Sequence, residues 1–472
     1  MENGLLIDFG IITIYFIGLV GLGLYTSRMI KNAEDFAYSK GRLGFPLLLG
    51  TVVAASVGAS ATIGRAGKAY EVGLIIFVTC VAFSIGLYLF SYLGPILRRR
   101  GIVSIPDVME YRYGKSMRML IAFIIPIAII GVAGIQIIAF GLLASAFLGP
   151  LGVDYTTAVI IGAAIITLYT LIGGMMAVAY TDVGQVIIMV LALGIMLPIF
   201  LIPNLGGWSE ALAILPPDPG MLLGGLSLWY LFGLLFVEIP ISLVDPGLWQ
   251  RSASAKSERD LVRALRLSAL LFMIWGILAV ALGIWAQHLM PAIEPDSAVP
   301  TLVTEYLPPV ARGLAIAALL ALIMSTADTS MLVAGTTVSL DIIRPLWPNL
   351  SDRGLIRISQ LTILLIGIFA TIMALTVTGI FDIMIISFGI ILAGTFVPIM
   401  GALFWDRAHK AGAAASVVLS TLALFAAQYA SGAGYTPEWA QPIVIAFIVS
   451  AISFWGVSML FAPDEKNQIP AS

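Results

Sequence analysis

The sequence predicts an all-α polytopic membrane protein of thirteen transmembrane helices, with two inverted five-helix repeats whose first helices are broken. Three observations lead there. Of 472 residues, 60% are hydrophobic and 11% charged, against roughly 45–50% and 25% in soluble domains. Thirteen apolar runs are long enough to cross a bilayer core that needs roughly 20 residues per helix. Helix-breaking residues cluster in the second and seventh runs, five helices apart, and an odd number of helices per repeat forces opposite orientations.

Twenty-four basic against twenty-six acidic residues leave a net charge of −2, no surplus with which to neutralise a phosphate backbone, so nucleic acid is not an expected partner. A single cysteine, Cys80, and two distant histidines, His288 and His409, offer neither a disulfide framework nor a Cys/His metal cluster.

The runs fall near 5–27, 45–69, 72–97, 117–148, 156–176, 180–202, 226–250, 262–289, 309–343, 354–378, 380–405, 411–430 and 441–461. The first lacks a basic stretch before it and a small-residue cleavage site after it, and is read as a retained span. The second contains Ser56-Val57-Gly58-Ala59-Ser60-Ala61-Thr62-Ile63-Gly64, small and polar residues that make a poor continuous helix. An irregular segment at membrane depth must be buried in protein or line a wet cavity. In the seventh, Glu238-Ile239-Pro240 and Asp245-Pro246-Gly247 set two prolines beside two carboxylates, and a break is expected over Pro240–Gly247. The eighth to eleventh complete the second repeat, the ninth carrying Met324-Ser325-Thr326-Ala327-Asp328, and two further runs follow. The divisions are 1–44, 45–205 and 206–405 for the two repeats, and 406–472.

Of the 24 Lys and Arg residues, 21 fall on one side: Arg28 to Arg42, Arg98 to Arg118, Arg251 to Arg266, Arg344 to Arg357, Arg407 with Lys410, and Lys466. The positive-inside rule makes that side cytoplasmic in a cell membrane, with the N-terminus outside and the C-terminus inside. The exceptions are Arg312, at an outer helix end, and Arg65 with Lys68 in or beside the second span.

Several motifs resemble the sodium:solute symporters, which share the inverted-repeat fold of the leucine transporter. They include Ile105-Pro106-Asp107 to Tyr113-Gly114, Gly173-Gly174-Met175 to Thr181-Asp182-Val183-Gly184-Gln185, Gln250-Arg251 with Ala255-Lys256-Ser257, Met324 to Asp328, and Phe404-Trp405-Asp406-Arg407 with Gly412-Ala413. The resemblance runs from the first span to about Gly412 and implies a secondary carrier that couples inward sodium flow to uptake of a small organic solute by alternating access. It maps a main sodium site to the carbonyls of Ala54, Val57 and Leu322 and the hydroxyls of Ser325 and Thr326. Such hydroxyls can equally bond back to their own helix. Asp182 matches an aspartate that in some members forms a second cation site, here with Asp328 and Thr329. Asp328 departs from the hydroxyl residue usual there; two close carboxylates require a cation or a shared proton between them, unless Asp328 is simply solvated. Solute-lining positions map to Ala61, Arg65, Phe77, Cys80, Gln136, Glu238, Ser242 and Ser387. Arg65 can fork onto a substrate carboxylate, or snorkel, or pair with Glu71 or Glu238. Ala61 and Cys80 replace groups that sugar carriers keep polar, so an amino acid or carboxylate is the expected solute. A proton-driven carrier using Asp182, Asp328 and Glu238 is the alternative. No enzyme motif or repeated pore loop is present, and the carrier is expected to work as a monomer in the bilayer.

Overall fold

The computed structural model describes residues 2–215, 225–377, 379–433, 435 and 441–462; Lys466 lies outside them. The described residues form helices and no strand, apart from an isolated bridge between Leu43 and Ala255. The chain begins with α1 (Glu2–Ser27), a short α2 (Ala33–Tyr38), α3 (Phe45–Ser56), α4 (Arg65–Val72) and α5 (Phe77–Arg99). It continues through α6 (Ile105–Tyr113), α7 (Lys115–Leu148), α8 (Tyr155–Ile172) and α9 (Met175–Met189). The second half has α10 (Leu228–Val244), α11 (Pro246–Ser254), α12 (Glu258–Leu289) and α13 (Ala311–Thr336). It closes with α14 (Asp352–Thr376), α15 (Ile380–Phe404), α16 (Lys410–Gly432) and α17 (Pro442–Met459). Among the described residues eleven helical stretches are long and apolar enough to cross a membrane, and α3 and α8 are shorter apolar helices.

Helix α13 is the centre of the molecule. Its most apolar window is 94% buried, against 11% for α1. A helix with small or apolar residues all round has no face to offer water or lipid and is covered on every side; α13 packs against α1, α3, α7, α8, α9 and α14. Its N-terminus is fixed by Asp8 of α1, a fully buried carboxylate that accepts from the amides of Val310 (3.0 Å) and Gly313 (3.1 Å) and from Arg312 Nε (2.7 Å). Arg312 is therefore an ion-pair partner at an orphaned helix end.

Both expected interruptions are present, one of them displaced. Helix α3 stops at Ser56, where Val57 takes φ −93°, ψ 66°, and a π-helical turn over Ser60–Gly64 leads into α4. Gly73, at φ +74°, then separates α4 from α5. In the seventh run the helix passes through Pro240 and breaks only at Asp245. A proline inside a membrane helix is tolerated where the surrounding bundle covers the backbone, and Pro240 is buried, with Ser242 Oγ, two residues on, 3.3 Å from the Phe83 carbonyl of the neighbouring α5. The second break is therefore Asp245–Gly247. Asp245 caps the Leu248 amide at 2.8 Å, and Pro246 starts α11, where its lack of an amide costs nothing.

On the arginine-rich face the broken helices are tied together. Leu43 N donates to Ser254 O (3.0 Å) and Lys256 N to Leu43 O (2.7 Å), while Arg98 at the end of α5 donates to the carbonyls of Ala255 and Lys256. The start of α3 and the ends of α5 and α11 therefore form one unit. A separate cluster joins α6, α7 and the extension of α13, with Arg118 bridging Asp107 (3.2 Å), Glu110 and Asp341 (2.6 Å).

Candidate cation and solute sites

The break after α3 lies directly against α13. Ending at Ser56, α3 leaves carbonyls of its last turn without helical amides. The Ala59 amide beyond the break donates to Gln136 Oε1 of α7 at 3.1 Å. Gly58 permits the approach, since a Cβ there would sit 2.8 Å from Thr326 Cβ.

At that contact the hydroxyls of α13 meet the freed carbonyls. Ser325 Oγ is 3.1 Å from both Ala54 O and Leu322 O, and Thr326 Oγ1 is 3.4 Å from the carbonyls of Ala54 and Ala55. Ser325 thus bonds partly to its own helix, while Thr326 reaches across to α3. Val57 ends α3 next to this group, its amide bonded to Val53 O at 2.8 Å. The donor set is all oxygen and all neutral. Hydrogen bonds of 3.1–3.4 Å bring together four of the five mapped residues, Ala54, Leu322, Ser325 and Thr326, all with oxygens of the kind a hard cation takes. Among the described residues no group of three His, Cys, Asp or Glu is placed to hold a metal.

One turn further along α13 the chemistry changes. Asp182 and Asp328 are 0% and 1% exposed, so Asp328 is not solvated. Thr51 of α3 donates to Asp182 Oδ2. Arg251 of α11, 1% exposed, reaches into the same space: its Nε donates to Thr51 O (3.1 Å), and its Nη2 donates to Thr51 Oγ1 (3.0 Å) and Thr329 Oγ1 (2.8 Å) and lies 3.8 Å from Asp182 Oδ2. Asp182 Oδ1 and both oxygens of Asp328 have no hydrogen-bond partner. The sequence placed Arg251 among the basic loop residues; in the fold, the restart of the helix at Asp245 turns it back into the bundle. It is the site residue that sequence reasoning missed, and the available signal was the Gln250-Arg251 motif so soon after the second break.

The eight solute positions scatter. Arg65 is buried and already engaged: Nη2 is 2.6 Å from Glu238 Oε1, Nε donates to Thr79 Oγ1 at 3.2 Å, and Cζ lies 5.4 Å from the Phe272 ring centre. Of the alternatives open for Arg65, the structure shows the pairing with Glu238, whose Oε2 has no partner. Gln136 serves the helix break, Ser242 and Ser387 bond to backbone carbonyls, Cys80 is buried against Gly276, Ala61 is buried, and Phe77 is half-buried at the start of α5. Of these eight, only Arg65 lines the cavity that runs between the breaks. That cavity is walled by Phe83, Phe272, Phe388, Ile129 and Val132, carries Ser56 and Ser60 on one side, and extends past Thr326 to Thr329 and Arg251. The aromatic walls carry no signal in sequence, being indistinguishable there from lipid-facing phenylalanines.

Residues 36–420 match the model of the sodium:solute symporter family. The chain is 27% identical to the sodium/glucose cotransporter of Vibrio parahaemolyticus, over 89% of this chain and 85% of the relative. It is equally 27% identical to a high-affinity proline transporter of Bacillus subtilis, over 93% and 95%. Among solved structures, a Na+-coupled sialic acid symporter in a substrate-bound, outward-open state superposes with a TM-score of 0.80 at 20% identity, covering 98% of both chains. A nucleobase-cation-symport-1 transporter in a closed conformation gives 0.60 at 12% identity, over 92% and 96%. These structural likenesses bear on the fold.

Proposed function

The chain belongs to the sodium:solute symporter family, with sodium as its coupling ion, and from that premise we propose that it drives uptake of an amino acid or a small carboxylate by alternating access. The observation that carries this is the neutral oxygen group of Ala54, Leu322, Ser325 and Thr326, shared between a broken helix and the buried α13. Val57 supplies the fifth carbonyl. A cation there joins two parts of the molecule that can move relative to each other, so binding favours one global state and orders the break that borders the cavity. By linkage, sodium must tighten solute binding by the same factor as solute tightens sodium binding.

In this reading the helices make thirteen spans, 45–205 and 206–405 are the inverted repeats, the arginine-rich face is cytoplasmic, and a monomer suffices. The moving group is α3 with α4, α5, α10 with α11, and α12. The ties between Leu43, Arg98 and Ser254–Lys256 support its moving as a unit. The solute sits in the cavity beside Arg65, with its apolar body against Phe83, Phe272 and Phe388. Arg65 lines the cavity with Glu238 buried behind it, which suits a solute that carries a carboxylate, and relatives include proline symporters of Haemophilus influenzae and Staphylococcus aureus. A sugar needs several polar partners round its ring, and these walls are mainly aromatic and aliphatic.

A proton-driven carrier remains the second reading, favoured by the unpartnered oxygens of Asp182 and Asp328. Uptake of labelled solutes into proteoliposomes, with sodium and proton gradients imposed separately, separates the two. Accumulation that follows sodium at constant pH supports the first; accumulation that follows the proton gradient and ignores sodium overturns it.

A further inference from the structure

Arg259, Arg263 and Arg266 are exposed and spaced four and three residues apart, so they share one face of α12. That face continues through Leu270, Ile274 and Ile277, which are 48%, 52% and 54% exposed, and so passes from the basic face into the lipid-facing wall. Beside it, across the packed seam with α5, stand Tyr88 and Tyr92, 44% and 53% exposed. The Arg266 guanidinium lies 5.3 and 5.1 Å from their two ring centres, and its Nε donates to Ser91 Oγ at 3.3 Å.

Nearby carboxylates do not neutralise this group. Glu258 is 3.5 Å from Arg99, and Asp260 accepts from Ser257 Oγ at 2.8 Å. Among the described residues no carboxylate pairs with Arg259, Arg263 or Arg266. Three unpaired guanidinium groups therefore sit where charge meets apolar surface. One lies within 5.3 Å of the ring centres of two tyrosines, whose rings favour the interfacial zone.

We infer that the α5–α12 seam at Arg259, Arg263, Arg266, Tyr88 and Tyr92 binds the headgroup of an anionic phospholipid of the cytoplasmic leaflet. The phosphate takes the guanidinium hydrogen-bond donors, the tyrosines shelve the glycerol region, and the acyl chains lie along Leu270, Ile274 and Ile277. A phospholipid fits where a free anion does not, because the charged group continues without interruption into a lipid-facing apolar strip. The placement in the cytoplasmic leaflet rests on the orientation proposed above. Both helices belong to the group proposed to move, so a bound lipid would ride with it.

The test uses the full chain, equilibrated with phosphatidylcholine vesicles containing one-fifth phosphatidylglycerol, then repurified and its retained lipid identified by mass spectrometry. Neither solute nor sodium is needed, so the result is independent of the transport reading. The parent should retain phosphatidylglycerol in preference to phosphatidylcholine. In R263Q/R266Q, with each surface arginine contributing about fivefold, that preference should fall at least about tenfold. R353Q/R357Q removes the same charge from the basic end of α14 and should leave it unchanged. Arg266→Lys keeps the charge but not the planar guanidinium beside the two rings and should lie between. No preference in the parent overturns the inference, as does equal loss in the two double variants, which would reduce the effect to general attraction between basic surface and anionic lipid. Displacement of the lipid by inorganic phosphate would also overturn it, because the site would then be one for free anions.

Discussion

Two polar regions, each proposed as a cation site, lie one helical turn apart on α13 and are built on opposite plans. At Ser325 and Thr326 every oxygen is neutral; at Asp328 and Thr329 there are two buried carboxylates, Asp182 and Asp328, and one buried guanidinium, Arg251, which lies 3.8 Å from Asp182. Neutral dipoles can lose their ion and fall back on weak bonds to one another, as Ser325 Oγ and Ala54 O do at 3.1 Å. Buried carboxylates cannot be left alone, because an unpaired charge in a low-dielectric interior is costly. The difference teaches a division of labour. On the proposed reading, the ion that must come and go in each cycle belongs with the neutral oxygens, while the acidic region has Arg251 of α11 as its tethered cation.

The largest way to break this comparison is to remove the tethered cation. Arg251→Met leaves Asp182 and Asp328 without a counter-charge and is expected to cost about 3–5 kcal/mol, as loss of one member of a buried pair does. The melting temperature of the purified protein, measured without sodium, should fall markedly, and adding Asp182→Asn should restore much of it. A single variant as stable as the parent would remove Arg251 from the role of counter-charge.

Thr326→Val tests the neutral region. It keeps the shape and removes one ligand oxygen, so about 1.4 kcal/mol and a tenfold rise in the sodium concentration needed for solute binding are expected, with folding preserved. Lithium and potassium serve as controls. Gly58→Ala acts on the same site from the other side: its Cβ would stand 2.8 Å from Thr326 Cβ, and sodium activation should shift in the same direction. Identical titrations in parent and Thr326→Val would leave the proton-driven reading the better one.

How far these regions can be read from sequence differs for the same physical reason. A neutral ion site is made of helix breaks and hydroxyls, and both leave local marks: the run Ser56 to Gly64 and the pair Ser325-Thr326 stand out from the surrounding apolar residues. The thirteen apolar runs are legible for the same reason, each being a local property of roughly 20 residues. Ion pairs are not local. Arg65 meets Glu238 across 173 positions, where sequence could only offer that pairing beside others, and Arg251 reaches Asp182 of another helix. Arg251, two residues after Trp249, reads as the start of a loop because the seventh apolar run ends at 250. The cavity walls were equally hidden, since Phe83 and Phe272, with ring centres 4.5 Å apart, are ordinary apolar residues until two helices bring them together.

The smallest expected effect comes from a carboxylate outside the spans that has neither plan complete. Asp296, in the connection before α13, accepts from the Ile380 amide at 2.8 Å and so fixes the start of α15. It has no arginine, and burial, with help from Asp382 and Glu71, raises its pKa from 3.8 to about 6 in spite of that amide. A carboxyl that binds its proton more tightly folded than unfolded favours the fold when protonated. Its contribution to stability is greatest below about pH 4, declines as pH rises through the window from about 4 to 6, and is constant above it. Melting measured at pH 7 and pH 5 should therefore show a gain on acidification that Asp296→Asn removes, since the amide cannot titrate. The neutral site at Thr326 has no group that titrates in that window, so Thr326→Val should leave this pH dependence as it is in the parent. If Asp296→Asn keeps the parent's dependence, the proton is taken up elsewhere, and the carboxylates beside Arg251 become the place to look for it.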